Sequence, residues 1–187
     1  AGAISERLFA MAIALVGHVR GGLGYVAILA SLIFSGLSGS AVADTAALGA
    51  ILIPIMEEAG YKRGHSAALI ASAGIIPPLM PLSVPMIIFG VTGNVSIPKL
   101  FMSGIFPGLM LGLCLAATWA WIARKEHFKV QPKKSFKEIM VATKDAVWAF
   151  VLPLIIIVGL RGGIFTPTEA ASIAVFYALF VGVFIYR

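Results

Sequence analysis

The chain has 187 residues, of which 60% are hydrophobic and only 12% charged, with a net charge of +6 and a mean hydropathy of +1.01. Soluble proteins average about 25% charged residues, and a soluble domain of this size cannot keep so much apolar surface from water. These values exclude an ordinary soluble globule, a disordered chain and a disulfide-built module, and they predict an all-α polytopic membrane protein; the single cysteine, Cys114, leaves no internal disulfide and no cysteine-built metal site.

Residues 1–22 read as an amphipathic or partial membrane helix and a linker. Ile4, Leu8, Met11, Leu15 and Val16 recur at helical spacing, Ser5 is a candidate N-cap, and Gly17-His18-Val19-Arg20-Gly21-Gly22 ends the run. Ala1-Gly2-Ala3 offers neither an initiator Met nor a signal peptide, and the last apolar run stops at Arg187, so a piece of a longer membrane protein is expected.

Residues 23–56 hold one acid, Asp44, and no base. As one helix they would measure about 51 Å, against a hydrocarbon core of about 30 Å. Ser35-Gly36-Leu37-Ser38-Gly39-Ser40 lies near the middle and predicts two shorter helices in a re-entrant hairpin. Asp44 then falls in the first turn of the second helix, where a carboxylate complements free N–H groups, and a capping role is favoured over a site role.

A charged turn follows, and then residues 66–92, apolar at both ends but carrying Pro77, Pro78, Pro81 and Pro85. Proline removes a donor and clashes with the preceding turn, so a discontinuous transmembrane helix broken over 77–85 is expected. Residues 93–123 contain a conventional span from 101, closed by Trp119 and Trp121 as interfacial anchors. Residues 124–146 carry seven of the fourteen Lys and Arg and read as a basic cytoplasmic segment, amphipathic over 135–148 and suited to the bilayer surface rather than to nucleic acid. Residues 147–187 supply two further membrane helices, the second opened by Thr166-Pro167-Thr168-Glu169, with Thr166 as N-cap.

With 124–146 inside, the hairpin reading puts Arg20, Lys62, Arg63 and Arg187 inside and leaves only Lys99 and Arg161 outside. A single span over 23–56 would put Arg20 on the wrong face.

Helix breaks within a bilayer persist only where protein or an aqueous cavity covers the freed backbone. Secondary transporters bind substrate and ions at such breaks. Here Ser38, Gly39, Ser40, Pro81 and Ser83 offer hydroxyl or carbonyl oxygens to Na⁺, and Ser38 and Ser83 offer hydroxyl donors to an anion. His18, His65 and His127 share no metal-ligand spacing, and neither a phosphate loop nor a nucleophile elbow is present, so an enzyme is not expected.

Five stretches carry a resemblance. Gly17-His18-Val19-Arg20-Gly21-Gly22-Leu23-Gly24-Tyr25, Leu37-Ser38-Gly39-Ser40-Ala41-Val42-Ala43-Asp44-Thr45, Val84-Pro85-Met86-Ile87-Ile88-Phe89-Gly90, Lys99-Leu100-Phe101-Met102 and Phe165-Thr166-Pro167-Thr168-Glu169-Ala170 resemble the large membrane subunit of tripartite ATP-independent periplasmic (TRAP) transporters. The sialic-acid and related sugar-acid members look most similar, and the resemblance covers essentially the whole chain. It implies an Na⁺-coupled elevator transporter of the bacterial inner membrane, with hairpins and broken helices in two inverted repeats. It also implies a scaffold helped by a small membrane subunit, and a periplasmic substrate-binding protein that delivers an organic acid. Residues 23–92 would be the first repeat's share of the transport domain, with the second repeat absent. The family commonly reads roughly A-P-I-I-P-P-S where this chain has Pro77-Pro78-Leu79-Met80-Pro81-Leu82-Ser83; the serine is kept while the prolines shift, so the carbonyls near Pro81 are less firmly assigned than Ser83. The rival expectation is a non-transporting scaffold or assembly subunit, which should tolerate loss of both Ser38 and Ser83.

Overall fold

The computed structural model describes residues 2–36, 39–125 and 135–185. Among these the regular structure is helical: α1 Gly2–Val16, α2 Gly22–Ser35, α3 Ala41–Glu58, α4 Arg63–Ala73, a 3₁₀ turn Pro77–Leu79, α5 Val84–Thr92, α6 Ile97–Ala123, α7 Phe136–Arg161 and α8 Pro167–Phe180, which runs on as a π turn, Val181–Ile185. Arg63–Thr92, taken across its break, and Ile97–Ala123 are long and apolar enough to cross a membrane. The parts of α7 over Lys137–Lys144 and Ala146–Leu160 meet at 46° and make a third span if counted together. These features fit a polytopic membrane protein.

The hub is α2. It is apolar all round, as a helix enclosed on most sides must be, and it packs against α1, α3, α4, α6 and the 3₁₀ turn. Leu23, Val26, Ala27, Ile28 and Phe34 of α2 share one core with Leu48, Leu52 and Met56 of α3 and with Leu8, Met11 and Ala12 of α1. So α1 is a packed element, beginning at Gly2 with Ser5 inside it rather than at its cap.

The long apolar run does break. α2 ends at Ser35 and α3 begins at Ala41 with Ser40 as its N-cap, the Ser40 hydroxyl accepting from the Ala43 N–H at 3.4 Å. Beyond α3, Tyr61 is buried and accepts a hydrogen bond from the Leu23 N–H at the start of α2. The two helices therefore run antiparallel, with their free ends tied together. Burial pushes the Tyr61 phenol above its ordinary range, and the Leu23 N–H opposes that shift.

Two expectations about residue roles are corrected. Trp119 is buried rather than interfacial: its Nε1 donates to the Gly21 carbonyl at 2.8 Å, its ring stacks on Tyr61 with centroids 6.1 Å apart, and Gly24 leaves the space the indole fills. Trp121, by contrast, is exposed, with Lys125 Nζ 3.8 Å from its ring centroid. Pro85 is not one of the breakers: it sits in the first turn of α5, where its missing N–H costs no helical bond. The predicted start of α8 is present as a capping box, with Glu169 accepting from the Thr166 N–H at 2.7 Å. The helix α7 runs through the expected boundary at 146, bending there instead of ending.

Candidate functional site

The second break is built from a stop, a turn and a restart. α4 ends at Ala73, and Gly74 lies against the Thr45 hydroxyl of α3 with no room for a side chain. Pro77 and Pro78 then open one 3₁₀ turn. Ser83 N–H donates to the Met80 carbonyl at 3.3 Å, with Pro81 and Leu82 between them and Leu82 at φ 72°. Proline second, a positive φ third and a bond closing residue four onto residue one match a type II β-turn. Glycine normally takes the third position. A leucine there is a backbone outlier of the kind that concentrates at functional sites.

This turn meets the hairpin tip. Gly39, at φ 60°, lies directly on it: a methyl group there would overlap the Leu82 carbonyl oxygen and stand 3.0 Å from the Ser83 Cα. The two breaks predicted from sequence, far apart along the chain, are thus in contact. Ser83 is fully buried and its hydroxyl has no hydrogen-bond partner among the described residues, although as the N-cap of α5 it could have served the helix end. The Pro81 and Leu82 carbonyls accept no backbone hydrogen bond among the described residues. Asp44 is buried in the first turn of α3.

Of the residues singled out from sequence, Gly39, Pro81 and Ser83 come together. Ser40 is at the same junction but is engaged as the N-cap of α3. Ser38 lies outside the described residues. Sequence reasoning missed Leu82, since nothing in Pro-Leu-Ser announces a left-handed leucine. It also missed α6 as a wall of the site. Gly104 lies against the Leu79 carbonyl, Gly108 against Met80 Sδ and Gly112 against Leu32, so that one small-residue stripe of α6 seats both the break and the hairpin. The four-residue spacing of these glycines was the available signal.

The electrostatics have two signs. α3 and α5 both begin at the junction and present N–H ends, which favour an anion; α2 and α4 both end beside it and present carbonyl ends, which favour a cation. Among the described residues no group of three or more His, Cys, Asp or Glu could hold a metal ion; the oxygens at the junction are hydroxyls and carbonyls, with the carboxylate of Asp44 one turn into α3, a set suited to a hard monovalent ion.

Two broken elements in contact within an all-helical apolar chain are an arrangement that secondary transporters use. Over residues 1–187 it matches the family described as "Tripartite ATP-independent periplasmic transporter, DctM component", and the chain belongs to that family. It is 52% identical over 187 residues to the 2,3-diketo-L-gulonate TRAP transporter large permease protein of Escherichia coli (strain K12), covering 100% of this chain and 44% of that protein. It is 45% identical over 184 residues to the sialic acid TRAP transporter large permease protein of Vibrio cholerae, covering 98% of this chain and 43% of that one. It is 40% identical over 186 residues to the C4-dicarboxylate TRAP transporter large permease protein of Pseudomonas aeruginosa, covering 100% and 44%. The chain thus spans less than half the length of these relatives.

Proposed function

We propose that this chain carries one half of the substrate and ion site of a TRAP transporter large permease, in the bacterial inner membrane, and that the intact protein imports an organic acid with Na⁺. The observation that carries the reading is the buried Ser83 hydroxyl, without a partner among the described residues, in a strained turn held against Gly39. A polar group buried without a partner destabilises the fold by about 1–3 kcal/mol, which is offset when a ligand supplies the partner. Ser83 and Ser38 donate to the carboxylate. Na⁺, a co-substrate, takes oxygens from the residues 38–40 and 81–83, the Pro81 and Leu82 carbonyls included. Ser40 contributes as the cap that aims the N-terminus of α3.

The substrate class follows from charge. Converging helix N-termini suit a carboxylate, and the relatives named above carry the names of carboxylates, two of them sugar acids. A sugar acid, sialic acid or a relative of 2,3-diketogulonate, is the proposed cargo. The hairpin α2–α3 is re-entrant and moves with the break as part of an elevator; a small membrane subunit steadies the scaffold, and a periplasmic substrate-binding protein delivers the acid. α2, at 14 residues, is about 21 Å long, too short for a core of about 30 Å, which supports a hairpin that enters and returns.

The test is Na⁺-driven uptake of labelled sialic acid and 2,3-diketogulonate in proteoliposomes holding the intact transporter and its binding protein. Losing one hydrogen bond to a charged partner costs about 1.5–3 kcal/mol, so Ser83→Ala and Ser38→Ala should each lower uptake roughly ten- to a hundredfold, with normal amounts of protein in the membrane. Wild-type uptake by both variants over a range of substrate and Na⁺ concentrations would reject the site and favour a scaffold subunit.

A further inference from the structure

Away from the two breaks, a groove of about 500 Å³ opens between the start of α6 and the end of α7, lined by Ser96, Lys99, Phe101, Met102, Ile157 and Leu160, with Pro98 at its rim. Its size is within the range of ligand pockets, about 300–1,000 Å³. Its chemistry is divided along its length. At the helix ends are Lys99, which is exposed and has no carboxylate partner among the described residues, and Ser96, the N-cap of α6, whose side chain makes no capping bond. Further along both helices the walls are Phe101 and Met102 of α6 and Ile157 of α7, while Leu160 stands at the end of α7 itself.

That division matches the depth profile of a bilayer. α6 is long enough to cross the hydrocarbon core, so its first turn lies at headgroup level and the next turns lie among acyl chains. The charge count gives the leaflet: among the bases after α1 it leaves Lys99 and Arg161 on the outer face, and Arg161 is the last residue of α7, the other helix bordering this groove. A free inorganic anion would use Lys99 but not the apolar walls, and a neutral apolar molecule would use the walls but not Lys99. We propose that the groove binds an anionic phospholipid of the outer leaflet, with its phosphate on Lys99, Ser96 and the first N–H groups of α6, and one acyl chain along Phe101, Met102, Ile157 and Leu160. A lipid here would fill the gap between α6 and α7; no residue lining the groove belongs to either break, while Leu82 of the second break packs against the same apolar cluster as Phe101 and Leu160.

The experiment is native mass spectrometry of the intact permease with its small membrane subunit, released from nanodiscs of equal parts phosphatidylglycerol and phosphatidylcholine. The wild type should retain phosphatidylglycerol in preference. A basic residue near the membrane surface changes affinity for an anionic lipid about fivefold, so Lys99→Gln should lower retention by about that factor, while Lys137→Gln, on a different helix end, should not. Ile157→Trp should displace the lipid with Lys99 left in place. Equal retention of the two lipids, retention unchanged in both groove variants, displacement by millimolar inorganic phosphate, or no bound lipid because the rest of the intact chain covers the groove would each overturn the proposal.

Discussion

Gly39 shows what a single residue decides here. Its φ of 60° is in the left-handed region, and the space a side chain would occupy belongs to the Leu82 carbonyl. Gly163 has nearly the same backbone, φ 66°, but open space around it. Alanine at either position carries left-handed strain of about 1–3 kcal/mol; only at Gly39 must the hairpin tip also lift off the turn. Misplacement of about 1 Å at a site can cost a hundredfold. Under the proposed function, Gly39→Ala should therefore reduce uptake by the intact transporter at least tenfold, by that reasoning, whereas Gly163→Ala should lower thermal stability and leave uptake per folded molecule close to wild type. Equal effects of the two substitutions on uptake would mean that the contact between the breaks is incidental. Both glycines were visible in the sequence, but not which of them faced another backbone, because that depends on a residue more than forty positions away.

The same limit applies to helices. Breaks were legible because they are local: serine and glycine interrupt an apolar run at 35–40, and prolines cannot continue a helix after Ala73. The start of α8 was legible because capping is set within four residues, as Thr166 shows, and so was the place of Asp44 in the first turn of α3, but Ser40 reads from sequence as an ion ligand and not as the cap it is. The placement of α6 was not, because Trp119 and Trp121 look alike in sequence and only packing separates them. Trp119 joins the end of α6 to the base of the hairpin through Gly21, Gly24 and Tyr61. Trp119→Phe removes the donor to a buried carbonyl and leaves a cavity, and should destabilise the purified intact permease by about 2–4 kcal/mol. Trp121→Phe, at an exposed position, should stay within about 0.5 kcal/mol of wild type. Thermal unfolding in detergent reads both, and similar losses would place the two tryptophans in the same environment, against the structure.

At the scale of the whole molecule, two contacts sort the charges. The Leu23–Tyr61 bond brings the start of α2 to the end of α3, so Arg20 is near Lys62 and Arg63; the Trp119–Gly21 bond brings the end of α6, with Arg124 and Lys125, to the same place. Five basic residues therefore gather at one end of the bundle. Lys99 is near the opposite end of α6, whose 27 residues span about 40 Å. Composition alone indicated a membrane protein and the positive-inside count indicated an orientation; the packing independently puts five of the bases of that count on one side. Cysteines replacing Arg20, Arg63 or Lys125, each in an intact permease otherwise free of cysteine, should react with a membrane-impermeant maleimide only in inside-out vesicles. A cysteine replacing Lys99 should react only in right-side-out vesicles. All four are exposed side chains, so reactivity reports sidedness rather than burial. If Arg20→Cys and Arg63→Cys react from opposite faces, α2 and α3 cross the membrane as one path, and the hairpin is not re-entrant. If they share a face but Lys125→Cys does not, the hairpin holds and the contact between Trp119 and Gly21 is wrong.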